Sequence, residues 1–114
     1  DGTAVVAVHG LSMANEHAYM KMIFDGKKWL GVKSIIDRNE YEADEMTLKS
    51  QHWTVTDANG KVWDYEGRRL FVWHFPFDTY TLAEHMMEFT RSDGVKGYGL
   101  GECGYRFPWC GNGN

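Results

Sequence analysis

Three dipeptides punctuate this chain, Asp25-Gly26, Asn59-Gly60 and Asp93-Gly94, and each lies between runs that alternate or favour strands. Asn-Gly and Asp-Gly accept the positive φ angles that a two-residue hairpin turn demands, so each is expected to join two antiparallel strands. The arms so defined are roughly 16–24 with 27–36, 48–58 with 61–75, and 84–92 with 95–105, and "TAVVAVH" at 3–9 supplies one more strand. Both prolines, in "FPF" and "FPW", fall where strands should end. One segment competes with this reading: "TLAEHMMEFTR", from Thr81, has the Thr-x-x-Glu spacing of a helix capping box. It also runs straight into the Asp93-Gly94 turn and is needed to pair with the glycine-rich strand, so strand is expected from about Glu84. The chain reads as all-β and antiparallel, built from hairpins: one domain over 1–110, with "GNGN" at 111–114 as a flexible tail.

Composition narrows the partners. Aromatic residues make up 15% of the chain while long aliphatics are sparse, so a cavity here is walled by rings and by methionines such as Met20, Met22, Met86 and Met87, which suits a bulky apolar ligand. The formal charge of -4 and the scattered Lys and Arg exclude the basic stripe that nucleic acid requires. No apolar run approaches the ~20 residues that span a bilayer, and no signal segment opens the chain, so a soluble protein without a membrane span is expected. A start at Asp1 leaves open a processed product or a domain cut from a longer chain. Cys103 and Cys110 are expected as thiols rather than a disulfide; they leave the compartment open, with cytoplasm favoured.

Turn position dictates cross-strand pairing. Across a two-residue turn the flanking residues face each other, and every further pair keeps the same index sum. At Asp93-Gly94 this sets Phe89 across from Tyr98, Met87 from Leu100 and His85 from Glu102 on one side, with Thr90, Glu88 and Met86 across from Gly97, Gly99 and Gly101 on the other. Apolar surroundings desolvate an acid and move its pKa toward the range useful for a general acid, and a facing histidine can hold or relay the proton. His85 and Glu102 are therefore the candidate catalytic residues, with a buried pair that merely satisfies itself as the alternative. At Asn59-Gly60 the same arithmetic pairs Thr56 with Trp63, Thr54 with Tyr65, His52 with Gly67 and Ser50 with Arg69, a cavity wall rather than a solid core. His52, Trp63, Tyr65, Trp73, His74, Met87, Phe89 and Tyr98 are the candidate ligand-binding residues, although Trp63, Tyr65, Phe71, Trp73 and Phe75 also serve simply to fill a small barrel. A three-residue loop at either turn slips the register by one and breaks these pairs.

The runs "FDGKKWLGVKSIIDR", "TVTDANGKVWDYEGRRL" and "EFTRSDGVKGYGLGECGY" resemble the C-terminal part of proteins related to carotenoid 1,2-hydratase (hydroxyneurosporene synthase), and more closely their bacterial relatives of unknown function. Arg91, Asp93, Gly94, Gly97, Gly99 and Glu102 carry the ending typical of that group, and the similarity extends over roughly 15–107. The resemblance implies a lipocalin-like β-barrel or half-barrel around a hydrophobic substrate. It also implies a partner: members usually carry two such units, so a homo-oligomer or a second barrel unit is expected. The hydratases protonate an isolated alkene from an acidic side chain, and none of their catalytic residues transfers to a position here.

The function expected on these grounds is a small barrel acting on an isoprenoid, steroid-like or aromatic substrate by cofactor-free acid/base chemistry, a hydratase (lyase) or isomerase. The alternatives are a non-catalytic carrier of an apolar small molecule and a self-assembling structural β protein. The chain lacks the lipocalin Gly-x-Trp opening, a cupin His-x-His set, a Gly-x-Ser-x-Gly elbow and a phosphate loop. "GYGLG" is followed by a strand-like run instead of the helix a dinucleotide site needs. His9, His17, His52, His74 and His85 are dispersed, and no metal is expected.

Overall fold

The computed structural model describes residues 1–8, 20–77 and 80–106. Its strands are β1 (Ala4–Val8), β2 (Met20–Phe24), β3 (Trp29–Tyr41), β4 (Leu48–Asp57), β5 (Val62–Pro76), β6 (Tyr80–Arg91) and β7 (Lys96–Arg106). They are antiparallel and hydrogen-bond in the order β1-β2-β3-β4-β5-β6-β7, with no helix among the described residues. This is the all-β class expected, in the up-and-down connectivity of a barrel or half-barrel. The contested segment is strand, and it begins at Tyr80, four positions ahead of Glu84. Pairing with β5 on one side and β7 on the other gives its backbone more partners than a capping box can offer. His9, His17, Cys110 and the 111–114 tail lie outside the described residues.

All three dipeptides turn the chain, but each turn is offset from the expected one. At the first, Asp25 N–H donates to the Lys28 carbonyl (3.1 Å) and Phe24 faces Trp29, so the loop residues are Gly26 and Lys27. The Asp25 carboxylate accepts the Lys27 and Lys28 amides, at 2.8 and 2.9 Å, and this holds the shifted turn. At the second, Asp57 N–H donates to the Lys61 carbonyl (2.9 Å) around a three-residue loop, Ala58 to Gly60. At the third, Arg91 N–H donates to the Val95 carbonyl (2.8 Å) around Ser92, Asp93 and Gly94. Gly60 and Gly94 have φ of 87° and 91°, each as the last loop residue, which is the left-handed position of a three-residue hairpin loop.

One extra loop residue moves every pair of the β6/β7 ladder. His85 faces Gly101, Met87 faces Gly99 and Phe89 faces Gly97, while Glu84 faces Glu102, Met86 faces Leu100 and Glu88 faces Tyr98. The expected sets with Phe89, Met87 and His85 opposite Tyr98, Leu100 and Glu102 are thereby overturned. Alternation along β7 puts the glycines on the face of His85, Met87 and Phe89, and Tyr98 and Leu100 on the other.

Strands β3, β4 and β5 contribute to both of two compact units. The first comprises Asp1–Ile36 with Thr54–Trp63, the second Asp37–Trp53 with Asp64–Asn114. In the first, Ile23, Val55 and Trp63 are buried. Asp57, also buried, accepts the Asn59 and Lys61 amides and the Trp63 indole N–H, at 2.9, 3.0 and 3.0 Å. One carboxylate thus closes the loop and anchors the principal ring of that unit. In the second, the core is Leu48, Ala83, His85 and Met87.

The glycines of this second core are clearances. Phe89 lays its ring over Gly67, its partner on β5, where a Cβ would come within 2.5 Å of Cε1. The other edge of the ring reaches Gly99, where a Cβ would sit 3.5 Å from Cε2. Trp53 packs on the same ring with centroids 5.9 Å apart. At Gly101 a Cβ would meet Leu48 Cδ1 at 3.2 Å. A large ring seated in the Gly67 clearance and reaching Gly99 is the sheet's substitute for side chains at those positions.

Phe89→Ala is predicted to cost roughly 3 kcal/mol in urea unfolding. Gly67→Ala should cost roughly 1–3 kcal/mol in the wild type through overpacking, and become neutral or stabilising once Phe89 is alanine. Additive effects in the double variant would show that the ring does not occupy the Gly67 clearance.

Candidate functional site

His85 was the first candidate. It is fully buried at the middle of β6, its Nε2 accepts the Leu48 amide at 2.9 Å, and its Nδ1 donates to the Gly101 carbonyl at 2.8 Å. An amide can only donate and a carbonyl only accept, so the ring is the neutral Nδ1–H tautomer with both nitrogens occupied. Burial pushes its pKa below the usual histidine value, and the nearby Arg69 works in the same direction. Arg69 in turn donates to the Leu48 carbonyl (2.8 Å) and reaches Glu42 at 3.1 Å. The backbone of Leu48, at the start of β4, is therefore held on both sides by side chains. His85 is a brace between strands. Glu102 is not its partner in the ladder, because Gly101 occupies that position and Glu102 falls across from Glu84.

His52 and His74 are also engaged. His52 has Nε2 within 3.0 Å of both Asp64 oxygens and Nδ1 3.0 Å from Glu66 Oε1. It meets Glu66 rather than Gly67, which lies under Phe89. His74 is exposed, with Nε2 2.9 Å from the Thr47 hydroxyl. That hydroxyl donates to Asp44, so the shared proton comes from His74. Bonds from the Thr47 hydroxyl and amide bring the Asp44 carboxyl down to about 2. Among the described residues no group of three His, Cys, Asp or Glu side chains is placed to hold a metal ion.

The expected ligand-binding rings are divided between the two units and, within the second, between the two faces of the sheet. Trp63 belongs to the first unit and is tied to Asp57, with Lys61 Nζ 4.0 Å above its ring. Met87 and Phe89 share the buried face of β6, and Tyr65 faces Arg91 in the β5/β6 ladder, where burial raises its phenol pKa. Tyr98 is exposed on the opposite face, its hydroxyl donating to Glu88 at 3.3 Å. Trp73 is also on that opposite face.

The reason is a β-bulge. The β5/β6 register shifts between Arg69 and Phe71, leaving Leu70 unpaired. An unpaired residue reverses the alternation beyond it, so Val72 and His74 follow Gly67 and Arg69 on the buried face while Phe71, Trp73 and Phe75 emerge on the other. On the outer face Phe71 then lies in a row with Met86 and Leu100, Trp73 with Glu84, and Phe75 with Leu82. Phe71, Trp73, Phe75 and Leu100 are 46%, 46%, 41% and 61% exposed. Glu84, Met86 and Leu100 were not among the expected site residues. The i, i+2, i+4 spacing of Phe71, Trp73 and Phe75 was visible, but not the bulge that turns them outward.

Set against protein-family models, curated proteins and solved structures, the chain has no match.

The His85 environment has a pH signature. A folded pKa below the unfolded 6.5 means that the unfolded chain takes up a proton the folded ring refuses. Its contribution to stability is complete above about pH 6.5 and is lost as pH falls from there toward the folded pKa. A second loss belongs below about pH 4, where Asp44 and Asp93, both held at about 2, give up stability present above their unfolded values. Urea midpoints measured from pH 3 to 8 should show both steps in the wild type and only the lower step in His85→Gln. A wild-type and variant difference independent of pH would mean that His85 titrates as it does in the unfolded chain.

Proposed function

We propose that this protein binds an apolar small molecule on the outer face of β5, β6 and β7 and does no chemistry on it. The observation that carries this reading is the exposure of Phe71, Trp73, Phe75 and Leu100 on one side of three adjacent strands. A half-exposed aromatic side chain shows on the order of 100 Å², so the cluster reaches roughly 400 Å², within the range of functional patches on monomers. Carrier is favoured over hydratase or isomerase because the acid/base pair that supported catalysis has lost its geometry: His85 has no free nitrogen, and Glu102 is not across from it.

Titration with Nile red, an uncharged apolar dye, should give a saturable fluorescence increase. Trp73→Ala combined with Phe75→Ala should weaken it by about tenfold or more. Trp29→Ala, which removes a ring 48% exposed in the other unit, should leave it unchanged. Sedimentation run alongside separates the homo-oligomer reading. A stable dimer that dissociates on the Trp73 substitution, with no saturable dye binding, would replace the carrier by self-association.

A further inference from the structure

We infer that His52 is a pH-operated exchange point, held by Arg38 when its ring is neutral and by Glu66 when it is protonated, so that the charge released to solvent changes sign. The site shares no residue with the apolar face of β5, β6 and β7. Arg38 lies on β3, His52 on β4, and Asp64 and Glu66 on β5, all within the second unit. At Nε2 the two Asp64 oxygens stand 2.9 and 3.0 Å away, and a carboxylate only accepts, so this nitrogen keeps its proton in both states. At Nδ1 two rivals are in reach: Glu66 Oε1 at 3.0 Å, which only accepts, and Arg38 Nη2 at 3.4 Å, which only donates. One nitrogen cannot serve both.

A bare Nδ1 accepts from Arg38 and turns its lone pair on the Glu66 carboxylate. A proton taken up from water at Nδ1 is donated in a bond to Glu66 and sets an imidazolium against the guanidinium, which Coulomb repulsion then drives off. Among the described residues His52 is the one side-chain partner of Arg38 and the one side-chain partner of Glu66, so the loser of each exchange has no second anchor. Both are exposed, and the loser is handed to water. The adjoining charges are committed elsewhere: Glu40 on β3 accepts a bond from the Ser50 hydroxyl at 3.2 Å, and Arg68 on β5 meets Glu88 at 3.0 Å. The acid form therefore frees a guanidinium and the neutral form a carboxylate, while the Asp64 bond holds the ring in place through both.

The test follows three NMR signals of the wild type from about pH 5 to 8, the window in which histidine ordinarily changes charge and above the usual carboxylate range: the His52 ring nitrogens, the Arg38 guanidinium and the Glu66 carboxyl carbon. One shared midpoint is expected. As pH falls through it, Nδ1 gains its proton, the guanidinium signal moves to the position of free arginine, and the carboxyl signal moves away from that of free glutamate. In His52→Gln both side-chain responses should be lost, and their persistence would overturn the exchange. Should that variant fail to fold, the shared midpoint in the wild type decides. Movement of one side chain alone, of neither while the ring titrates, or a ring that keeps one protonation state across the window, each overturns it.

Discussion

A single backbone conformation governs most of what this molecule presents. Gly94 stands at φ 91° as the third residue of its loop, and so Arg91 rather than Ser92 closes the hairpin onto Val95. The Arg91 guanidinium grips the Asp93 carboxylate through two bonds, at 2.7 and 2.8 Å, across the same turn. Because the side-chain period of a strand is two, a one-residue difference at the turn transfers eleven residues of β7 from one face to the other. The glycines then fall against Phe89, Met87 and His85, and the exposed Tyr98 and Leu100 fall on the far side.

The bulge at Leu70 does the complementary work on β5. Before it, the buried face receives Gly67 and Arg69; beyond it, Val72 and His74. Without the extra residue Phe71, Trp73 and Phe75 would crowd the face that Phe89 and Met87 already fill. With it they stand beside Met86, Glu84 and Leu100. The buried face is thus closed by one ring over the Gly67 clearance and one neutral histidine between two backbone groups, and the outer face is left with exposed rings.

The strands themselves were legible. Alternation and the glycine dipeptides locate all three hairpins, and "EHMMEFTR" is legible as strand because the turn after it leaves no room for a helix. The faces were not legible, for a local reason. Asp-Gly and Asn-Gly suit the centre of a two-residue turn and the end of a three-residue loop equally well, and what decides between them here is side-chain bonding by Asp57, Arg91 and Asp93. The bulge is harder still, since Leu70 differs in no local property from a paired residue. Candidate residues chosen by face accordingly scattered, with Met87 buried and Phe89 half-buried on one face, Tyr98 and Trp73 exposed on the other, and Trp63 in the other unit.

The pairing of β6 with β7 is therefore the point on which the account turns, and proton NMR reads it directly. Closure of the hairpin by a bond between Arg91 and Val95 makes every even-numbered β6 residue a member of a non-hydrogen-bonded pair, where facing Hα atoms lie close together. Cross-peaks between the Hα atoms of Glu84 and Glu102, Met86 and Leu100, and Glu88 and Tyr98 are the predicted result. Cross-peaks linking Met87 with Leu100 and His85 with Glu102 would restore the two-residue turn and overturn the assignment of both faces.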